Sequence, residues 1–127
     1  MIIIDETLTG GRLNSFTLDS INERMTLREI IRARIWQEVQ DYNRQCGEVF
    51  RGLVQPTDAE RTLNGFRMKH RQPINWEDQF TGACEAFERN GFFLLVGERQ
   101  ADSLDESFEI RVDTEVQFVK LMPLVGG

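Results

Sequence analysis

MIIIDETLTGGRLNSFTLDSINERMTLREIIRARIWQEVQDYN, residues 1–43, contains the features that decide the fold. Ile2, Ile3 and Ile4 are consecutive β-branched residues suited to a buried pleated surface, so Met1–Leu8 reads as a strand, and Gly10-Gly11 supplies a turn that tolerates positive φ. Arg12–Ile21 sets Leu13, Phe16, Leu18 and Ile21 among polar residues in imperfect alternation, which fits the returning arm of a hairpin with one wet face. The alternation slips near Asn14-Ser15, the mark of a bulge. Thr26-Leu27-Arg28-Glu29 is a capping box, in which hydroxyl and carboxylate satisfy orphan backbone N–H groups reciprocally. From it Leu27, Ile30, Ile31, Ile35, Val39 and Tyr42 recur at helical spacing, with Arg28, Arg32, Glu38 and Gln40 on the other faces. Gly47 ends the run, and pattern, cap and stop together predict a helix of about 18 residues.

Residues 48–91 read as a helical insertion with caps of its own. Thr57-Asp58-Ala59-Glu60 is a second capping box after Pro56, with Gly65 closing a short helix. Asn75 is an N-cap for a second helix in which Trp76, Phe80, Ala83, Cys84 and Phe87 form an apolar stripe ending before Gly91. Phe92–Val96 (FFLLV) is a continuous apolar run, as in a strand buried on both faces, and a polar arm near Glu98–Gln100 is placed to pair beside it. Ala101–Val112 has sparse apolar anchors at Leu104, Phe108 and Ile110, so turns and a short strand are expected there. Glu115–Leu121 alternates as a final strand.

The chain has 127 residues, 40% of them hydrophobic and 28% charged, a globular mix sized for one domain, 1–127. A net charge of -6 argues against nucleic acid as the main partner and for a basic protein surface. Of the 15 basic residues only Lys69 and Lys120 are lysines. Cys46 and Cys84 lack CxxC spacing and His70 is the single histidine, so no Cys/His zinc site assembles within one chain; both thiols read as small buried hydrophobes rather than nucleophiles. Arg67, Lys69, His70 and Arg71 form a solvated basic loop, and Glu77, Asp78, Glu85 and Glu88 a solvated acidic helix face. Asp102, Asp105, Glu106 and Glu109 make an acidic excursion that reads equally as a solvated loop or as a docking surface for a basic partner. Trp36 falls off the main stripe and is expected to pack under the insertion, with exposure for a partner as the alternative. No leader pattern and no long apolar run is present, so a cytoplasmic protein that does not enter a membrane is expected.

Two strands, a long helix, an insertion, a strand, an excursion and a last strand make an α+β roll. After the last strand, Met122-Pro123-Leu124-Val125-Gly126-Gly127 forms an uncharged arm; Pro123 favours extended geometry and the two glycines leave the terminal carboxylate bare. With Asp113-Thr114-Glu115-Val116-Gln117-Phe118 and Leu121 before it, this tail resembles the ubiquitin-like β-grasp superfamily, and most of all the small subunit of molybdopterin synthase. FFLLVGERQ is similar to the third strand and following turn of ubiquitin. Residues 48–91 have no counterpart in the minimal domain, and Met122-Pro123 stands where that family has Pro-Pro.

The resemblance implies a mixed sheet of four or five strands packed on one long helix. It also implies that the chain is no enzyme and holds no cofactor. An adenylating enzyme of the ubiquitin-activating kind uses ATP to activate Gly127, with Gly126 beside it and Met122–Val125 as the docking arm. A conjugating enzyme and a deconjugating peptidase are the further partners implied. The product is then an isopeptide bond to a target amine; a sulfur carrier bearing a thiocarboxylate, or an adaptor whose terminus is never used, are the alternatives. Few lysines suit a modifier, since few amines invite its own attachment.

Overall fold

The computed structural model describes residues 1–19, 22–62, 65–70 and 72–121. In chain order the elements are β1 (Ile2–Thr7), β2 (Arg12–Thr17), β3 (Arg24–Thr26), α1 (Leu27–Asn43), β4 (Val49–Phe50), β5 (Ala59–Thr62), β6 (Gly65–Met68), α2 (Trp76–Glu88), β7 (Phe92–Val96), β8 (Arg99–Gln100), β9 (Ser107–Glu109) and β10 (Glu115–Lys120). The class is α+β, with a five-stranded mixed sheet and two helices. The chain divides into two compact units, Met1–Glu29 with Ala86–Gly127, and Ile30–Glu85.

In the first unit the strand order is β2-β1-β10-β7-β8. The β1–β2 hairpin is antiparallel, and Gly10 takes a φ of 85° in its turn, where the Thr7 N–H donates to the Gly11 carbonyl at 2.9 Å. Its register shifts after Asp5, which faces Asn14 while Glu6 faces Arg12. The bulge expected near Asn14-Ser15 is therefore present, with Leu13 as the extra residue. β1 runs parallel to β10, Ile3 opposite Val116 and Asp5 opposite Phe118. β10 is antiparallel to β7, placing Val96 opposite Val116 and Leu94 opposite Phe118.

Alternation then explains the inner face. Ile3, Val116 and Val96 share one row across the sheet, Phe118 and Leu94 the next, and all five are buried. Phe92 stacks at 5.9 Å against both Phe118 and Phe87. Asp5 also lies on this face and is buried; Lys120, at the end of β10, reaches it at 3.9 Å. FFLLV differs from expectation: Phe92, Leu94 and Val96 are buried, but Phe93 and Leu95 are only half-buried, so the sheet's second face is partly open. β8 pairs beside β7 as the polar arm required, and β9 pairs with β3 to place Phe108 opposite Met25.

In the second unit β4, β6 and β5 form an antiparallel sheet. The segment expected to be a short helix after Thr57 is instead strand β5, paired Ala59 to Met68 and Arg61 to Phe66. The capping-box pattern is local, and so short a helix is marginal unaided. Here Asp58 takes a left-handed φ of 59° and turns the chain into a pairing that the pattern cannot report. The insertion is therefore three strands followed by a helix. Phe50 anchors it, edge-on to Tyr42 at 5.4 Å and 6.5 Å from Phe66. Asn43 clamps Ile74 by donating to its carbonyl at 3.0 Å and accepting from its N–H at 2.8 Å. Trp36 packs edge-on against Trp76 at 5.3 Å while remaining 46% exposed, and Arg32 lies over Trp76 at 5.4 Å.

α1 stops at Asn43, with Cys46 rather than Gly47 in the left-handed conformation, φ 47°, and its N–H bonded to the Tyr42 carbonyl at 2.8 Å. Leu27, Ile30, Ile31, Ile35 and Val39 are fully buried, as the stripe required. Glu38, read as lying on another face, joins Arg34 in a nearly buried pair with 1% and 10% of their side chains exposed. Arg34 Nε donates to Glu38 Oε2 at 3.3 Å, and the Leu53 N–H donates to Glu38 Oε1 at 3.0 Å. Glu38→Ala removes a charged acceptor from a buried guanidinium and from that N–H, so urea denaturation is expected to show a loss of up to about 3–5 kcal/mol. Gly52→Ala is expected to cost about 1–3 kcal/mol in the same assay, because an added methyl group would overlap the Phe50 ring.

Candidate functional site

Met122, Pro123, Leu124, Val125, Gly126 and Gly127 lie outside the described residues. The described chain reaches Leu121, one residue past β10, so the strand that carries the tail is the central one between β1 and β7.

The acidic excursion is described throughout. Its turn is built by side-chain and backbone bonds: the Asp105 N–H donates to Ser103 Oγ at 3.2 Å, and the Asp102 N–H donates to Glu106 Oε1 at 3.0 Å. The same loop serves the start of α1. The Leu27 N–H donates to the Glu106 carbonyl and the Arg28 N–H to the Leu104 carbonyl, each at 2.9 Å, which satisfies donors that a helix N-terminus leaves unpaired. The capping box forms as read: Glu29 N–H donates to Thr26 Oγ1 at 3.2 Å, and Thr26 N–H to Glu29 Oε1 at 3.1 Å.

Three of the four acidic side chains are met by arginines. Arg28 lies 3.4 Å from Asp105, Arg99 3.2 Å from Glu106 and Arg111 3.0 Å from Glu109. The hydrogen bond from Arg111 to Glu109, reinforced by its charge, holds the guanidinium above its ordinary pKa. Arg99 also donates to the Ser107 carbonyl at 3.1 Å and lies over the Phe108 ring at 4.4 Å. The excursion is thus a mixed-charge, partly self-neutralised surface, and Asp102 is the member with no ion pair among the described residues.

A cavity of about 350 Å³ opens beside Asp102 within the first unit. Its apolar lining comes from Phe87, Phe93, Ala101 and Leu104; Arg28, Glu88, Asp102 and Asp105 contribute charge. Ala101 and Leu104 are buried, whereas Glu88 and Asp102 are exposed. Sequence reading placed Glu88 on a solvated helix face and Phe93 inside a doubly buried strand. The signal that joins them is the register of β7, which turns Phe93 away from the core row of Phe92 and Leu94.

The other readings fall as follows. Cys84 is buried and Cys46 half-buried, both as free thiols, and His70 is exposed. Among the described residues no group of three or more His, Cys, Asp and Glu side chains is placed to hold a metal ion. No helix formed by the described residues is long and apolar enough to cross a membrane. No protein-family model, no curated protein and no solved structure matches the chain.

Thr26→Ala removes the hydroxyl acceptor of the capping box and is expected to lower stability by about 0.5–2 kcal/mol. Asp105→Asn breaks only the exposed Arg28 pair and is expected to shift it by less than about 1 kcal/mol; chemical denaturation of the two variants side by side checks the contrast.

Proposed function

We propose that this chain is a ubiquitin-like protein modifier on a β-grasp fold, whose Gly127 carboxylate is adenylated by an ATP-using partner and then joined to target amines. The observation that carries the reading is the strand order: an N-terminal hairpin whose first strand is flanked on its other side by the last strand, in parallel, with the remaining strands beyond. That order is compatible with a β-grasp fold and supports the fold half of the reading, while the conjugation chemistry rests on the tail sequence. The tail supplies the chemistry. A carboxylate is a poor electrophile until one of its oxygens becomes part of a better leaving group; attack of that oxygen on the α-phosphate of ATP forms the acyl-adenylate and releases pyrophosphate. Amine attack then displaces the nucleotide and forms an amide. A β-carbon on either terminal residue would obstruct a narrow approach to the nucleotide, and Gly126 and Gly127 carry none.

The protein in this reading holds no cofactor and performs no catalysis; a conjugating enzyme and a deconjugating peptidase act on it. The uncharged, proline-bearing Met122–Val125 arm is the docking element. The tail's likeness to the small subunit of molybdopterin synthase supports a second reading, a sulfur carrier: the outer sulfur of a donor persulfide displaces AMP to give an acyl disulfide, and a thiol then reduces that S–S bond, leaving the thiocarboxylate and a new disulfide between thiol and donor.

Incubation of the full chain with ATP and candidate adenylating enzymes, followed by the mass of the native C-terminal peptide, separates the readings. A remnant linked to another protein's lysine supports the modifier, and an oxygen-to-sulfur mass gain supports the carrier. A peptide unchanged by every enzyme, or a native chain continuing beyond Gly127 without trimming, sinks both. Deleting Gly126 and Gly127 is expected to abolish either product while leaving the thermal melting of the protein unchanged.

A further inference from the structure

We propose that the cavity beside α2 and the 101–105 turn takes the side chain of an arginine presented by a partner protein. The assignment does not rest on the modifier reading: a protein whose terminus is never activated can still dock a partner here, and the two fail separately.

Four ionisable side chains line the cavity, and Arg28 is already committed to Asp105 at 3.4 Å. That leaves Glu88 and Asp102, neither in an ion pair among the described residues, as two exposed carboxylates at one opening. Glu88 ends α2 at this wall, and the exposed Arg89 that follows it is not among the lining residues. An anion is excluded by sign.

The lining then narrows the cation. Phe87 and Phe93 are half-buried aromatic rings, and Ala101 and Leu104 close the apolar side. Among the described residues no group of three or more His, Cys, Asp and Glu side chains is placed to hold a metal ion, and a compact, strongly hydrated ammonium gains less from the two rings than a guanidinium does. Arginine has the matching anatomy: an aliphatic stem for apolar walls, a weakly hydrated planar head that stacks on aromatic rings, and a fork of donors for two carboxylates. The molecule uses this combination on itself, where Arg99 lies over Phe108 while pairing with Glu106. About 350 Å³ is room for one long side chain, not for a folded element, so the partner inserts a residue rather than an interface core. The protein's net charge of -6 steers a basic partner toward it.

The test uses the full 15N-labelled chain titrated with acetyl-Leu-Arg-Leu-amide, with the citrulline peptide, of the same shape but neutral, as control. Saturable shifts confined to Phe87–Asn90, Phe93 and Gln100–Asp105 are expected, with the citrulline peptide roughly tenfold weaker. The double variant Glu88→Gln/Asp102→Asn, which alters only exposed side chains, is expected to lose about fivefold in affinity and most of the salt dependence, with its melting temperature unchanged. Equal binding of both peptides, shifts centred elsewhere, or no shifts at millimolar peptide overturns the assignment. So does a concentration-dependent mass in sedimentation that the double variant abolishes, because the occupant would then be a second copy of this chain.

Discussion

The parallel pairing of β1 with β10 is the constraint on which the rest of the first unit depends. It joins residues 2–7 to residues 115–120, and each later feature of the sheet follows from the register that it sets. Parallel neighbours cannot be joined by a tight turn, so the chain between them must leave the sheet and return. Once Ile3 faces Val116 and Asp5 faces Phe118, the antiparallel partners on either side inherit their rows: Phe16 beside Ile3, Val96 beside Val116, Leu94 beside Phe118. A shift by one residue would exchange the buried row for the half-open one that holds Phe93, Leu95 and Val119. Burial of the alternating set is what selects the register against that slip.

The same constraint sets where the proposed tail would begin. Because β10 is interior to the sheet, the segment that continues it starts from a strand held on both edges rather than from a frayed margin. Lys120, the last residue of the strand, is tied to the buried Asp5 on the adjacent strand. A rigid origin for an extended arm is what an activating partner needs, since the positional freedom of a terminus grows with every loose residue before it. In this proposal the body supplies the platform and the glycines supply the access.

Polar groups do structural work in both units, and they do it at points where an apolar reading is blind. Glu38 serves a buried guanidinium through one carboxylate oxygen and a backbone N–H through the other, so its loss weakens both contacts at once. The 101–106 turn lends two carbonyls to the start of α1, while its carboxylates are met by Arg28 and Arg99. What looked in composition like a block of acid is a capping device with its charge largely answered. Asp102 stands outside this pairing, and with Glu88 it gives the neighbouring cavity its sign.

By itself the sequence determined those elements whose signals are local. The hairpin with its Gly10 turn, the capping box and buried stripe of α1, the Asn75 start of α2, the anchors Leu104, Phe108 and Ile110, and the last strand are all where periodicity and caps place them, because each needs only residues a few positions apart. Tertiary structure alone decided the rest. The Thr57 box became a turn into β5 because strand pairing with β6 outweighed a cap on a helix too short to stand unaided. Glu38 became a largely covered partner, because Arg34 and the Leu53 N–H converge on its two carboxylate oxygens. Phe93 and Glu88 came to share one cavity because a strand register and the end of a helix converge, and no spacing along the chain encodes such a meeting. Local patterns report the propensity of a segment; what a side chain finally faces is set by partners far away in sequence, whose approach costs chain entropy that only the assembled core repays.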